Sequence, residues 1–196
     1  HIVPSIMEGM KNKYPAISLE LYEATIAELV ELLKRGTIDV ALTYNLSLDD
    51  SVTFERLFSV YQHVALSDHD DLAQRDVVSL RDLAQKPMIL LDLPVCRERI
   101  LDAYRNLNLK PKIHFQTAST TVVERLVASG QGYAMLGFRP QPNTYDATGR
   151  IKFLRLTEQL PQIDFGLALA RNAKLSRALD AFLGLVRSRS PKWSFS

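Results

Sequence analysis

The sequence predicts an α/β protein made of two similar halves. Three observations carry this. Apolar positions with helical spacing alternate with short strand-like runs along almost the whole chain. The links between them are short, which implies helical crossovers between parallel strands. A polar joint, Ser67-Asp68-His69-Asp70-Asp71, interrupts the pattern before a second α/β succession begins. With 196 residues, 46% hydrophobic and 23% charged, the composition is that of an ordinary globular protein.

In chain order, Val3, Ile6, Met7 and Met10 share a helical face, Pro4 suits a first turn, and Tyr14-Pro15 ends the helix. Ile17, Leu19 and Leu21 alternate with polar neighbours and predict a strand. Thr25 with Glu28 forms a capping-box pattern before a helix bearing Ile26, Leu29, Val30 and Leu33, which stops at Gly36. A buried strand is expected over 38–42, and one long β-run over 54–67. In the second half, Ser79 caps a short helix over 80–85, and 88–91 is an apolar strand. A helix over 97–107 turns Ile100, Leu101, Tyr104 and Leu107 inward, and 113–116 is a strand. Thr121 with Glu124 opens a helix with Val122, Val123, Leu126 and Val127 inward. Gly130 and Gly132 stop it before a strand over 133–136. A proline-containing loop over 139–149, strands over 152–156 and 164–170, and a helix striped by Leu175, Leu179, Phe182, Leu183 and Val186 complete the pattern. A basic tail with an exposed Trp193 follows.

Several function classes are disfavoured. Twenty-four basic against 22 acidic residues give a net charge of +2, too even for nonspecific adhesion to DNA or anionic membrane. The one cysteine, Cys96, permits no internal disulfide and suits a reducing, cytoplasmic setting. No apolar stretch of about 18 residues predicts a membrane span, and the first residues do not read as a signal peptide. Ser129-Gly130-Gln131-Gly132 is neither a nucleophile elbow nor a phosphate loop. Its glycines come after a helix and before a strand, the reverse of a dinucleotide fingerprint. His1, His63, His69 and His114 form no metal-ligand spacing, and His63 reads as structural or solvent-facing. Cys96 precedes a helix, where a dipole can activate a thiol, but no second catalytic residue accompanies it. No cofactor, metal or enzymatic chemistry is expected.

What remains is a set of strand ends and helix starts. Helix N-termini offer unpaired N–H groups and a partial positive charge, which suit a carboxylate, sulfate or phosphate. In open α/β sheets the binding crevice lies beyond the C-terminal ends of the strands. The candidate ligand-binding residues are therefore Thr25, Thr43, Tyr44, Asn45, Leu93, Pro94, Val95, Cys96, Ser119, Phe138 and Arg139, with Arg139 as a fork for an anion. The expected ligand is a small carboxylate or another anion.

Several segments resemble the effector-binding domain of LysR-type transcriptional regulators. They include Glu23-Ala24-Thr25, the stretch from Leu32 through Gly36-Thr37-Ile38-Asp39-Val40-Ala41-Leu42, and Ser79-Leu80-Arg81-Asp82-Leu83 followed by Pro87-Met88-Ile89-Leu90. The most specific is Val127-Ala128-Ser129-Gly130-Gln131-Gly132-Tyr133-Ala134-Met135-Leu136, close to the family's Val-Ala-x-Gly-x-Gly-x-Ala-x-Leu. Leu175 to Phe182 resembles the closing helix. The resemblance implies two Rossmann-like lobes of the type 2 periplasmic-binding-protein kind, joined by a two-stranded hinge. Lobe one would comprise 1–67 and 153–190 and lobe two 72–149, with crossovers at 68–71 and 150–152 and a tail at 191–196. It places an effector between the lobes, with Thr25 facing it and Tyr44, Pro94, Ser119 and Phe138 at the cleft edges. It further implies DNA binding through a winged helix-turn-helix outside these residues, and a homodimer or homotetramer packed through lobe-one surfaces. Two departures stand out. Ala24 replaces the family's glycine, and the family's first strand would precede His1. The competing expectation is a periplasmic-type solute-binding protein of the same fold class.

Overall fold

A computed structural model describes residues 2–137 and 150–193, except the side chains of Val95 and Lys192. The elements begin α1 (Ile2–Lys13), α2 (Ile26–Lys34), β1 (Ala41–Tyr44), β2 (Val52–Val60), β3 (His63–Ser67), β4 (Val77–Val78), α3 (Leu80–Leu83) and β5 (Pro87–Leu91). They continue α4 (Pro94–Arg105), β6 (Lys112–Thr117), α5 (Thr120–Ala128), β7 (Ala134–Leu136), β8 (Ile151–Leu156), β9 (Ile163–Ala170) and α6 (Arg177–Arg189). Two compact units result. The first runs to Val60 and resumes at Ile163, and the second is Tyr61–Gln162.

The chain therefore crosses between units at 60/61 and 162/163 rather than at 68–71 and 150–152. The apolar run over 54–67 is two strands in different sheets, because β3 pairs with β8 (Ala65↔Phe153) and β2 with β9. The polar joint is a surface turn of the second unit. The Asp70 carboxylate accepts the Leu72 N–H and holds the Lys86 ammonium at 2.8 Å.

In the first unit the sheet order is β1-β9-β2, antiparallel throughout, so the all-parallel expectation does not hold here. Its central strand returns from the far end of the chain, which local crossover logic cannot foresee. A Cβ on Gly166 would lie 2.1 Å from the Glu55 carbonyl oxygen, so this close strand approach requires glycine. α2 packs Val30 and Leu33 against Ala41, Val52 and Ala168. Its capping box from Thr25 is formed, and Gly36 takes φ +66° just past its end.

Ile17–Leu21 has no regular secondary structure and belongs to no sheet, and Leu21 is 62% exposed. The free edge of β1 and this segment both line a groove of about 730 Å³, together with Val3, Ile6 and Met7 of α1. The alternation is strand-like, but no neighbour supplies a ladder. At the other end α6 begins after its cap Ser176, leaving Leu175 64% exposed rather than in the apolar stripe. The chain over 187–192 is helical, and Trp193 is buried at 4% exposure, against the exposed tail expected. The Arg189 guanidinium, bonded to the carbonyl and hydroxyl of Ser5, ties α6 to α1.

The second unit holds a four-stranded sheet in the order β4-β8-β3-β7 and the parallel pair β5-β6, connected by the Met88–Tyr133 bridge. Met88, Leu90, Ile100, Tyr104, Tyr133 and Met135 form its largest core cluster, with Val64, Leu66, Leu80 and Leu83. The hydroxyls of Tyr104 and Tyr133, both fully buried, bond to each other at 2.7 Å. Gly132 has φ +152°, and a Cβ there would meet the Pro87 carbonyl oxygen at 2.4 Å. α5 is capped by Ser119 rather than Thr121. Val122 is 44% exposed, while Val123 and Val127 are buried. Leu107 falls beyond α4 and is 39% exposed. His63 is buried, its Nδ1 3.1 Å from the Tyr61 carbonyl oxygen, in keeping with a structural role.

Candidate functional site

β5 and β6 run parallel and, past a register shift between Met88 and Ile89, stay paired to their C-terminal ends, where Leu91 faces Thr117. The Asp92 N–H donates to the Thr117 carbonyl at 2.9 Å, locking the two strand ends together. A helix leaves each end at once, α4 at Pro94 and α5 at Thr120. Two helix N-termini therefore lie on neighbouring strand ends, where their partial positive charges reinforce each other.

The two starts are finished differently. Ser119 caps α5, its Oγ accepting the Val122 N–H at 3.4 Å while its own N–H donates to Thr117 Oγ1 at 3.2 Å. α4 starts from Leu93, which has no capping side chain and is 40% exposed, and Pro94 brings no N–H. The first turn of α4 is thus the one with no side-chain acceptor of its own. Asp92 lies beside it, 3.3 Å from Arg97 in a half-exposed pair. Burial pushes the half-buried Cys96 thiol above its ordinary pKa, with the Arg99 charge opposing weakly. Cys96 is therefore held as a neutral thiol, the wrong state for a nucleophile.

In the first unit, Thr25 is spent as a cap. Its N–H and hydroxyl both donate to the Glu28 carboxylate, at 2.8 and 2.7 Å, and lower the pKa of that carboxyl. Thr43 is buried in β1 opposite Gly166, and Tyr44 meets Phe165 edge-on at 5.3 Å. Asn45 is anchored by its N–H to the Asp164 carbonyl at 2.8 Å. The structure thus gathers Thr43, Tyr44 and Asn45 at one strand end, and Leu93, Pro94, Val95, Cys96 and Ser119 at the paired strand ends of the other unit. Phe138 and Arg139 lie outside the described residues. Sequence reasoning missed Asp92, although it directly follows the apolar run over 88–91, where a strand end was expected. Among the described residues, no His, Cys, Asp or Glu cluster is arranged to hold a metal, and no helix is long and apolar enough to cross a membrane.

Two mixed α/β units, between which the chain crosses twice, the second carrying paired helix starts at strand ends, define a two-lobed fold of the type 2 periplasmic-binding-protein kind. Residues 1–191 match the family model described as the LysR substrate binding domain, and the chain belongs to that family. It is 30% identical over 131 residues to the HTH-type transcriptional regulator BsdA of Bacillus subtilis, a match covering 65% of this chain and 45% of the relative. A putative LysR family transcriptional regulator from Pseudomonas aeruginosa superposes with a TM-score of 0.88 at 28% identity, covering 96% of this chain and 69% of that one. The C-terminal domain of a probable LysR family regulator from Rhodococcus gives 0.87 at 29% identity, covering 94% and 91%. The chain spans about half to two-thirds of the length of the curated relatives it matches, which are transcriptional regulators.

Proposed function

We propose that this chain is the effector-sensing part of a DNA-binding transcriptional regulator and that its effector is a small carboxylate or similar anion. The observation that carries the anion reading is the pair of helix N-termini on the locked ends of β5 and β6, one of them without a side-chain cap. An anion there completes hydrogen bonds that α4 does not make for itself. Arg139, which follows β7 in sequence, adds a cation to the same reading. Support by fold comes from the effector-binding domain of QuiR, described in complex with shikimate, and that of BenM, described with benzoate. They share this fold at TM-scores of 0.80 and 0.81 and identities of 21% and 18%. Both named ligands are carboxylic acids.

In this reading DNA is contacted by a helix-turn-helix outside residues 1–196, and the regulator works in the cytoplasm as a homodimer or homotetramer. The effector acts by differential affinity for two arrangements of the protein, shifting their populations. A solute-binding role is not favoured, because the relatives matched are regulators.

The test is a calorimetric and thermal-shift screen of organic acids against the chain and its Ser119→Asp variant. Aspartate keeps a capping oxygen, so stability stays within about 0.5 kcal/mol, but it puts a negative charge where the anion binds. An acid that raises the melting temperature and binds the variant at least tenfold more weakly supports the reading. Shifts with neutral or cationic compounds only would refute it.

A further inference from the structure

In the second unit, β6 is paired on one side only, by β5, so its outer edge is free among the described residues. Strands of parallel pairs are normally buried on both faces. Here every residue from Lys112 to Gln116 is exposed, Ile113 and Phe115 included. Val122, on the neighbouring α5, extends the apolar surface. Residues 110–117 carry Lys110, Lys112 and His114 and no carboxylate.

The first unit offers a segment of the opposite sign. Residues 17–23 alternate apolar and polar, join no sheet, and carry Glu20 and Glu23 with no cation. Leu21 and Tyr22 are exposed, and the Tyr22 hydroxyl donates to the Glu20 carboxylate at 3.1 Å, which sets these two side chains on one side. Among the described residues, Glu20, Glu23, Lys110 and Lys112 form no ion pair. Free strand edges with apolar flanks recruit another strand. Charge decides which one. β6 against a second β6 sets lysine on lysine, and 17–23 against itself sets glutamate on glutamate, whereas the cross pairing matches opposite charges. One chain carries both halves, so the occupant is a second copy of it.

We infer that segment 17–23 of one copy lies along the free edge of β6 of a second copy, with Glu20 and Glu23 set against Lys110 and Lys112. A first-unit surface thus meets a second-unit surface rather than another first-unit surface. Each copy offers both, so the contact is made twice in a twofold dimer. This rests on the homodimer proposed above and gives it its faces; it does not depend on the effector.

Sedimentation equilibrium tests this on the chain and on two charge reversals, Glu20→Lys with Glu23→Lys and Lys110→Glu with Lys112→Glu, each alone and both mixed in equal amounts. All four side chains are exposed, so both reversals keep the fold, which circular dichroism checks. The unaltered chain dimerises, and each reversal alone weakens the dimer at least tenfold by setting like charges together. The mixture restores it, because in the mixed dimer both contacts again join opposite charges. Amides over 18–21 gain protection from deuterium exchange as concentration rises through the dimerisation range, in the unaltered chain and the mixture only. Should a reversal not fold, Glu20→Gln with Glu23→Gln, which keeps shape and polarity, replaces it and again weakens the dimer. Reversals that dimerise as tightly as the unaltered chain, or a mixture that stays monomeric, would overturn the inference while leaving a homodimer through another face. An unaltered chain that is monomeric at every concentration would overturn both. No outcome bears on the anion screen.

Discussion

Replacing Tyr133 with phenylalanine removes one hydroxyl from a pair of buried tyrosines bonded to each other. Tyr104 projects from α4 and Tyr133 sits at the bridge to Met88, both with no solvent exposure and their oxygens 2.7 Å apart. The single change loses the bond and strands the Tyr104 hydroxyl, at a cost of about 1–3 kcal/mol. Tyr104→Phe strands the other hydroxyl at a similar cost. The double variant leaves no orphan and loses only a net bond of about 1 kcal/mol, so it should cost less than the two singles summed, by about 1–5 kcal/mol. Urea unfolding of the four proteins measures this directly. Strict additivity would mean the hydroxyls are satisfied elsewhere and would refute the reasoning.

The same pair gives an alkaline signature. Burial raises the Tyr104 pKa from 10.0 to about 12, the Tyr133 hydrogen bond opposing, and burial with the Tyr104 neighbour raises Tyr133 as well. Above pH 10 the unfolded chain has released a proton that the folded protein still holds. Stability is therefore intact below 10 and falls toward 12, by about 1.4 kcal/mol per pH unit per tyrosine. The double variant should lose this slope.

Gly132→Ala should cost about 2–4 kcal/mol by thermal unfolding, because a methyl cannot share space with the Pro87 carbonyl. Gly130→Ala, with φ +75° and open space around it, should cost only about 1–2. Arg187 forms two bonds with Glu55, at 2.8 and 2.7 Å, and lowers the Glu55 pKa. Arg187→Ala should therefore remove a stability increment that is present above the ordinary Glu pKa and lost as pH falls below it. Screening keeps this increment under about 1 kcal/mol, and melting scans in 1 M salt should show it shrink further. Alkylation of Cys96 should accelerate only at pH above the ordinary thiol range, so a rate already maximal at neutral pH would contradict its neutral, half-buried state. In the dilute monomer, amides over 18–21 should exchange with deuterium at nearly free rates, since no ladder within the chain holds them; strong protection there would show that they are paired.

Local chemistry made much of this protein legible. Thr25 and Glu28, Ser79 and Asp82, and Gly36 announce helix ends through neighbours three residues away or less. The apolar runs at 88–91 and 133–136 can only be buried. The candidate anion site was readable for the same reason, as helix starts following strand ends. The sequence could not decide which strands meet, because pairing is a contact between distant segments. Thus Ile17–Leu21 alternates like a strand yet stays unpaired, while 54–67 reads as one strand and serves two sheets. The cap of α5 is Ser119 rather than Thr121, and Val122 lies outward, because which face of a helix is covered depends on the elements packed against it. The Tyr104–Tyr133 bond exists only once residues far apart in the chain share one desolvated space, and periodicity along the chain carries no trace of that.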